Sequence, residues 1–70
     1  MGYHLRKIEK RQIGTIGKII EEVEEYQDAI EQKCEIMAIL ELADIYGALE
    51  MGAEKHGRTM EDLKTMAGIT

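Results

Sequence analysis

Residues 35–54 carry apolar side chains in nearly every direction around a helix. These positions are Ile36, Met37, Ile39, Leu40, Leu42, Ala43, Ile45, Tyr46, Leu49, Met51 and Ala53. A helix that is apolar all round belongs in a core or in a tight subunit interface. Two carboxylates, Glu41 and Asp44, interrupt this stretch three residues apart and therefore on one helical face. Ionised carboxylates among apolar neighbours need a compensating charge or hydrogen bonds.

The preceding stretch, residues 16–32, has the period of an amphipathic helix. Its apolar positions follow the i, i+3, i+4, i+7 spacing and are Ile16, Ile19, Ile20, Val23, Tyr26 and Ile30. Thr15 suits the N-cap position. We place a break near residues 32–34, although no glycine or proline marks it. The alternative is one continuous helix over residues 16–54, roughly 58 Å long at 1.5 Å per residue. We favour the helical hairpin.

Local signals also define the ends of the later elements. The second helix is predicted to end near residues 54–56, with Gly57 as the residue that terminates it. Thr59 and Asp62 have the spacing of a capping box and open a short third helix, which Gly68 ends. Its apolar face comprises Met60, Leu63, Met66 and Ala67.

The composition favours one small all-α domain over residues 1–70, with a basic lead-in at 1–14 and a helical core at 15–67. Proline is absent, and good helix formers are abundant. Leu5, Ile8 and Gln12 also allow a short helix within the lead-in. A core of this size rarely supplies more than about 3–5 kcal/mol of stability. One cysteine and two histidines provide neither a disulfide framework nor a zinc cluster. We therefore expect a homodimer or homotetramer with a core like a four-helix bundle.

Charge is distributed unevenly within the net charge of −5. Residues 1–18 contain five of the nine basic residues and one acid, whereas residues 19–50 contain ten acids and one base. An acidic centre of this kind disfavours nucleic acid as a partner and suits cations. No apolar run approaches the roughly 18 residues of a membrane span. We therefore expect a cytoplasmic protein that binds neither nucleic acid nor membrane.

Two pairs of carboxylates are the candidate site. Glu22 and Glu25 lie three residues apart on the first helix, as Glu41 and Asp44 do on the second. If the helices pair antiparallel through a turn near Lys33, the two pairs lie at similar heights across the interface. Four carboxylates in a half-dry site cannot all ionise without a counter-charge. Mg²⁺, which favours oxygen ligands, would supply it, and Mn²⁺ is also suitable. The alternative for the Glu-rich stretch of the first helix is a solvated helix face. For Glu41 and Asp44 the alternative is a set of intersubunit salt bridges to lysine or arginine.

These residues resemble the MazG-type nucleotide pyrophosphohydrolases, which belong to the all-α nucleoside triphosphate pyrophosphatases. The resemblance rests on Glu-Glu-x-x-Glu at residues 21–25 and Glu-x-x-Asp at residues 41–44, and it extends over about residues 13–67. It implies Mg²⁺-dependent hydrolysis of a nucleoside triphosphate between the α and β phosphates, which gives a monophosphate and pyrophosphate.

The resemblance also implies a role for each acid. Glu22, Glu25, Glu41 and Asp44 would be metal ligands, and Glu21 would be a catalytic residue outside the ligand set that orients water. Members of this family usually continue past the third helix with residues that contribute to phosphate binding. In these 70 residues the candidates for substrate binding are Lys18, Arg58 and Lys64.

Two other functions remain open at this point. The chain could be a non-catalytic helical oligomerisation or interaction module whose carboxylates are paired with basic residues. It could also be a regulatory nucleotide binder that retains the metal site without turnover. A response to divalent cations separates both nucleotide functions from the interaction module, and turnover separates the enzyme from the binder.

Overall fold

The computed structural model describes residues 4–69, and these form three helices and no strand. The helices are α1 (Ile16–Glu31), α2 (Glu35–Glu54) and α3 (Met60–Ile69). The first two pack against each other as a hairpin, and α3 contacts α2 alone among the helices. The predicted all-α class and the predicted hairpin are confirmed. No helix in residues 4–69 combines the length and the apolar character that a membrane crossing requires.

The hairpin turn explains why no glycine marks the break between α1 and α2. Lys33 adopts a left-handed backbone conformation, with φ at +58°. The N–H of Cys34 donates to the carbonyl of Ala29 at 3.2 Å, and the N–H of Lys33 donates to the carbonyl of Ile30 at 2.9 Å. These two bonds are those of a Schellman motif, which normally places glycine at the left-handed position. A lysine performs that role here, at a cost in backbone strain.

Replacing Lys33 by glycine is therefore expected to stabilise the protein. Glycine adopts positive φ without the steric cost of a Cβ, so the gain should be up to about 1 kcal/mol. In a chain of this size that gain corresponds to a rise in Tm of roughly 4–8 °C. Thermal unfolding of the variant measures it. Lys33→Ala is the matched control, because it shortens the side chain but keeps the Cβ. An equal gain in Lys33→Ala would contradict the strain at this position.

The end of α2 has the same hydrogen-bond pattern with the usual residue. Gly57 has φ at +69°. The N–H of Arg58 donates to the carbonyl of Ala53 at 3.0 Å, and the N–H of Gly57 donates to the carbonyl of Glu54 at 3.0 Å. Gly57 therefore ends the helix as the sequence predicted.

Both predicted N-caps are also confirmed. The N–H of Lys18 donates to Oγ1 of Thr15 at 3.2 Å at the start of α1. Before α3, the N–H of Thr59 donates to Oδ2 of Asp62 at 2.9 Å, and the N–H of Asp62 donates to Oγ1 of Thr59 at 3.2 Å. These reciprocal bonds form a capping box. The helix then passes through Gly68 and ends at Ile69, one residue later than predicted, and it buries no side chain.

The lead-in is not helical in the part that the structure describes, residues 4–14. Residues 1–3 lie outside the described part. The short helix that Leu5, Ile8 and Gln12 would allow is therefore not formed. The backbone N–H groups of Leu5, Arg6 and Arg11 donate instead to carboxylates of α1, so the segment lies along that helix.

The buried residues are unusual for a folded chain. Within residues 4–69 they are four alanines (Ala29, Ala38, Ala48 and Ala53) and four acids (Glu21, Glu22, Glu25 and Asp28). No large aliphatic or aromatic side chain of that range is buried. The apolar stripe of α1 and most large side chains of α2 are partly or largely exposed, with Ile16 at 76% and Ile36 at 66%. A single copy of the chain therefore leaves most of its apolar surface in water.

Candidate functional site

The buried face of α1 is acidic. Glu21, Glu22, Glu25 and Asp28 project from one side of the helix, together with Ala29. At 3.6 residues per turn this side lies opposite the apolar stripe. The periodicity of the sequence located the apolar face of α1 correctly. In the single chain, however, the acidic face of α1 is the one that is buried. Buried carboxylates require partners, and α1 obtains them from the lead-in and from α2.

Glu21 is paired with basic residues and a backbone donor. Its carboxylate accepts from Nζ of Lys18 at 3.0 Å and from the N–H of Arg11 at 2.6 Å. Nζ of Lys10 lies 3.6 Å away. Burial alone would raise the pKa of Glu21, but the bonds from Lys18 and Arg11 outweigh it and lower the pKa below its ordinary value. Glu21 is therefore ionised at neutral pH and held in place.

Asp28 anchors the start of the described lead-in. The side chain is fully buried. It accepts hydrogen bonds from the N–H groups of Leu5 and Arg6 at 2.9 and 3.3 Å, from Gln32 at 2.8 Å and from Nδ1 of His4 at 3.1 Å. Burial acts to raise the pKa of Asp28, but these donors lower it below its ordinary value. A carboxylate with this many donors fixes the path of the lead-in over α1.

The four acids predicted as metal ligands converge. One carboxylate oxygen from each of Glu22, Glu25, Glu41 and Asp44 can be chosen so that all lie within 4.8 Å of one another. Small residues on α2, Ala38 and Ala48, are buried. With no bulky side chain at those positions, α1 and α2 approach closely enough for Glu41 to reach Glu25. The predicted meeting of the two pairs across an antiparallel hairpin is what the structure has.

Glu41 lacks protein partners for part of its carboxylate. Its Oε1 is buried and accepts no hydrogen bond from the described residues 4–69. Burial, followed by the negative charges of Glu25 and Asp44, raises the pKa of Glu41 to about 7. An unpaired buried oxygen costs free energy unless a proton or a cation compensates it. This oxygen is therefore a suitable ligand for a cation.

Glu22 has a similar electrostatic environment. Burial and a hydrogen bond shared with Glu25 raise the pKa of Glu22 to about 7. At pH 7 Glu22 and Glu41 are therefore each about half protonated in the absence of a cation. An all-oxygen donor set of this kind suits a hard divalent ion such as Mg²⁺ or Mn²⁺.

Lys10 forms an ion pair with one acid of the cluster, Glu25. Nζ of Lys10 lies 3.4 Å from Oε2 of Glu25, and the Lys10 side chain is 78% exposed. An exposed lysine can leave such a contact at little cost, because surface ion pairs contribute at most about 1 kcal/mol. Glu25 therefore has a displaceable partner. Within residues 4–69, lysines therefore pair with Glu21 and, in the four-acid cluster, with Glu25.

A groove opens beside the cluster. Its volume is about 350 Å³, and it is lined by Ile13, Gly14, Lys18, Glu22, Asp44, Gly47, Ala48, Glu50 and Met51. A Cβ added at Gly47 would meet no atom within 4 Å. The lining thus combines three acids and one lysine with small and apolar residues.

The predicted substrate-binding residues divide into two groups. Lys18 lines the groove. Arg58 lies in the turn between α2 and α3 and is not among the lining residues. Lys64 on α3 pairs with Glu61 at 3.2 Å and lies 5.9 Å from the ring centre of Tyr46, again outside the groove lining. Of the three, only Lys18 lies beside the acids.

Sequence reasoning missed His4, Lys10 and Asp28 as residues of this site. The signal was present in the spacing of Glu21, Glu25 and Asp28, which share one helical face at i, i+4 and i+7. An acidic face next in sequence to a basic segment indicates that the segment covers it.

No protein-family model matches this chain, and neither a curated protein nor a solved structure matches it. Functional inference therefore rests on the residues and their geometry.

Proposed function

We propose that the chain is a Mg²⁺-dependent pyrophosphohydrolase that cleaves a nucleoside triphosphate between the α and β phosphates. The single observation that supports this function is the convergence of four carboxylates from α1 and α2, one with a buried, unpaired oxygen. Glu22, Glu25, Glu41 and Asp44 would hold the ion. When bound, Mg²⁺ supplies charge neutralisation of the phosphates and lowers the pKa of a water molecule.

Glu21 would act outside the ligand set, as the resemblance implies, and would position Lys18. Its lowered pKa and its bonds to Lys18 and Arg11 leave it ionised and already occupied. It would hold the Lys18 ammonium at the groove, where that ammonium is available to a phosphate oxygen. Lys10 lies beside the same acids and would add a second positive charge. Positioning and charge stabilisation account for most of the catalysis in phosphoryl chemistry.

The groove supports a nucleotide as the substrate class. Phosphates would bind beside Lys18, Glu22 and Asp44, which all line the groove, through the divalent ion and the lysine. The open space at Gly47 and the apolar surface of Met51 would accommodate the sugar or the base. Apolar walls with few polar groups at one end are typical of small-molecule sites.

A nucleotide panel with product identification tests the function. Purified protein is incubated with canonical and modified nucleoside triphosphates in the presence of Mg²⁺, and the products are separated. The expected products are a nucleoside monophosphate and pyrophosphate, and chelation of the metal should stop their formation. Release of orthophosphate would contradict cleavage at the α–β position. Cation binding without turnover would favour the regulatory nucleotide binder.

We also propose that the protein works as a homodimer or homotetramer. The support is the exposed apolar surface of both long helices, including Ile39 at 55% and Leu40 at 59% exposure. Full burial of each such side chain stabilises an assembly by about 1.5–3 kcal/mol. The same surface favours the non-catalytic oligomerisation module as the second candidate function. That module would assemble without responding to Mg²⁺.

Replacing Leu40 by glutamate is expected to break the assembly. A charge in the centre of an apolar interface loses the burial of the leucine and adds a desolvation cost. Sedimentation equilibrium should show a lower oligomeric state for Leu40→Glu and the wild-type state for Glu54→Gln, an exposed position at the end of the same helix. A monomeric wild-type protein that is stably folded would contradict the proposed assembly.

A further inference from the structure

His4 lies between the acidic cluster and the carboxylate that anchors the lead-in. Its Nδ1 is 3.1 Å from Oδ2 of Asp28, and its Nε2 is 3.7 Å from Oε2 of Glu25. Asp28 is fully buried and is held by three other donors, from Leu5, Arg6 and Gln32. An ionised carboxylate accepts only, so Nδ1 of His4 donates to it. The other ring nitrogen is thereby turned towards Glu25.

This arrangement is the one that proteins use to orient a histidine ligand. A metal-binding imidazole almost always donates its other N–H to a carboxylate or carbonyl, which fixes both the tautomer and the direction of the ring. Asp28 provides that support for His4.

The distances also fit a shared ion. The 3.7 Å between Nε2 of His4 and Oε2 of Glu25 exceeds the length of a hydrogen bond. It lies within the roughly 4 Å that can separate two atoms bound to one ion at about 2.0–2.2 Å. Ligand atoms of His4, Glu25 and Glu41 all lie within 4.8 Å of one another, so small side-chain movements would bring all three into bonding distance of one ion. Oε1 of Glu41 is buried and accepts no hydrogen bond from residues 4–69, so this set also includes an oxygen that is open to an ion.

We propose that His4, Glu25 and Glu41 form a second cation site, which binds a divalent transition-metal ion such as Zn²⁺. An imidazole with two carboxylates suits such an ion, whereas the all-oxygen set of the four acids suits Mg²⁺. The site shares Glu25 and Glu41 with the proposed Mg²⁺ site but requires no nucleotide hydrolysis. The exposed ammonium of Lys10, 3.4 Å from Glu25, would leave as the ion binds.

The direct test is NMR of the imidazole nitrogens in the full ¹⁵N-labelled chain during a Zn²⁺ titration. His56, in the turn between α2 and α3, is the internal control. One equivalent of Zn²⁺ should shift Nε2 of His4 in the manner of a coordinated nitrogen and leave His56 unchanged. Equal responses from both histidines, or no response from His4 at saturating Zn²⁺, would overturn the proposal.

Matched variants separate this site from the proposed enzyme. His4→Gln should weaken Zn²⁺ binding at least about tenfold and should weaken Mg²⁺ binding less than it weakens Zn²⁺ binding. His56→Gln should change neither affinity. Equal Zn²⁺ affinity in His4→Gln and wild type would overturn the site. Absence of nucleotide turnover with intact Zn²⁺ coordination by His4 would contradict only the proposed function, and the reverse result would contradict only this inference.

Discussion

Asp44→Asn is expected to reduce Mg²⁺-dependent hydrolysis by at least about 100-fold while the protein stays folded. The amide removes one negative charge and one ligand oxygen from the four-acid cluster. Asp44 is exposed and contributes no buried surface, so the helices should form as before. Loss of a like charge beside Glu41 should keep the metal-free Tm at or above the wild-type value.

The measurement combines the rate of pyrophosphate release with Mg²⁺-dependent thermal unfolding. In wild type, millimolar Mg²⁺ should raise the Tm because the ion binds only the folded state. In Asp44→Asn this rise should largely disappear. Glu54→Gln is the control, since it removes one carboxylate from an exposed position of α2. Full activity in Asp44→Asn would remove this residue from the mechanism, and equal losses in both variants would indicate a general effect of net charge.

Mg²⁺ affinity is expected to increase by roughly 100-fold between pH 6 and pH 8. Two of the proposed ligands, Glu22 and Glu41, have a pKa of about 7 in the metal-free protein. Each must lose its proton before it can bind the ion. At pH 6 only a small fraction of the molecules has both groups ionised, whereas at pH 8 most do. Calorimetry in two buffers of different ionisation enthalpy would measure the protons released on binding.

The same pKa values determine whether the metal-free protein becomes more or less stable as the pH rises. Both groups have a folded pKa above the ordinary value of 4.5. The folded state therefore binds more protons than the unfolded state between about pH 4.5 and 7. Metal-free stability should fall as pH rises through this window, and Mg²⁺ should restore it at pH 8. Glu41→Gln should flatten the profile and reduce the proton release on Mg²⁺ binding by about one at pH 6, where Glu41 is mostly protonated. A Mg²⁺ affinity that is constant from pH 6 to 8 would contradict the raised values.

Local signals in the sequence were sufficient to predict where the helices begin and end. The caps at Thr15 and Thr59 and the end at Gly57 depend on side-chain chemistry and backbone freedom within four residues. The hairpin break was harder to place, because Lys33 occupies a position where the sequence signal is normally glycine. Residue spacing within each helix also predicted the approach of the two acid pairs, since an antiparallel hairpin sets their heights.

The path of the lead-in along α1 could not be predicted from the spacing of residues within a helix. Its structure comes from hydrogen bonds to Glu21 and Asp28, which lie 10 to 24 residues away along the chain. Helical periodicity does not report on such long-range contacts. The pattern also could not distinguish an apolar face that packs within the chain from one that requires a second copy. Ile16 and Ile36 have the spacing of core residues and remain exposed in the single chain.

The central claim is that carboxylates from α1 and α2 together bind one divalent ion. Crystals grown with Mn²⁺ and measured at a wavelength where manganese scatters anomalously test it most directly. The account predicts an anomalous peak within bonding distance of Glu22, Glu25, Glu41 and Asp44. A structure at saturating Mn²⁺ in which no peak lies between the two helices, and in which Lys10 stays on Glu25, would contradict it.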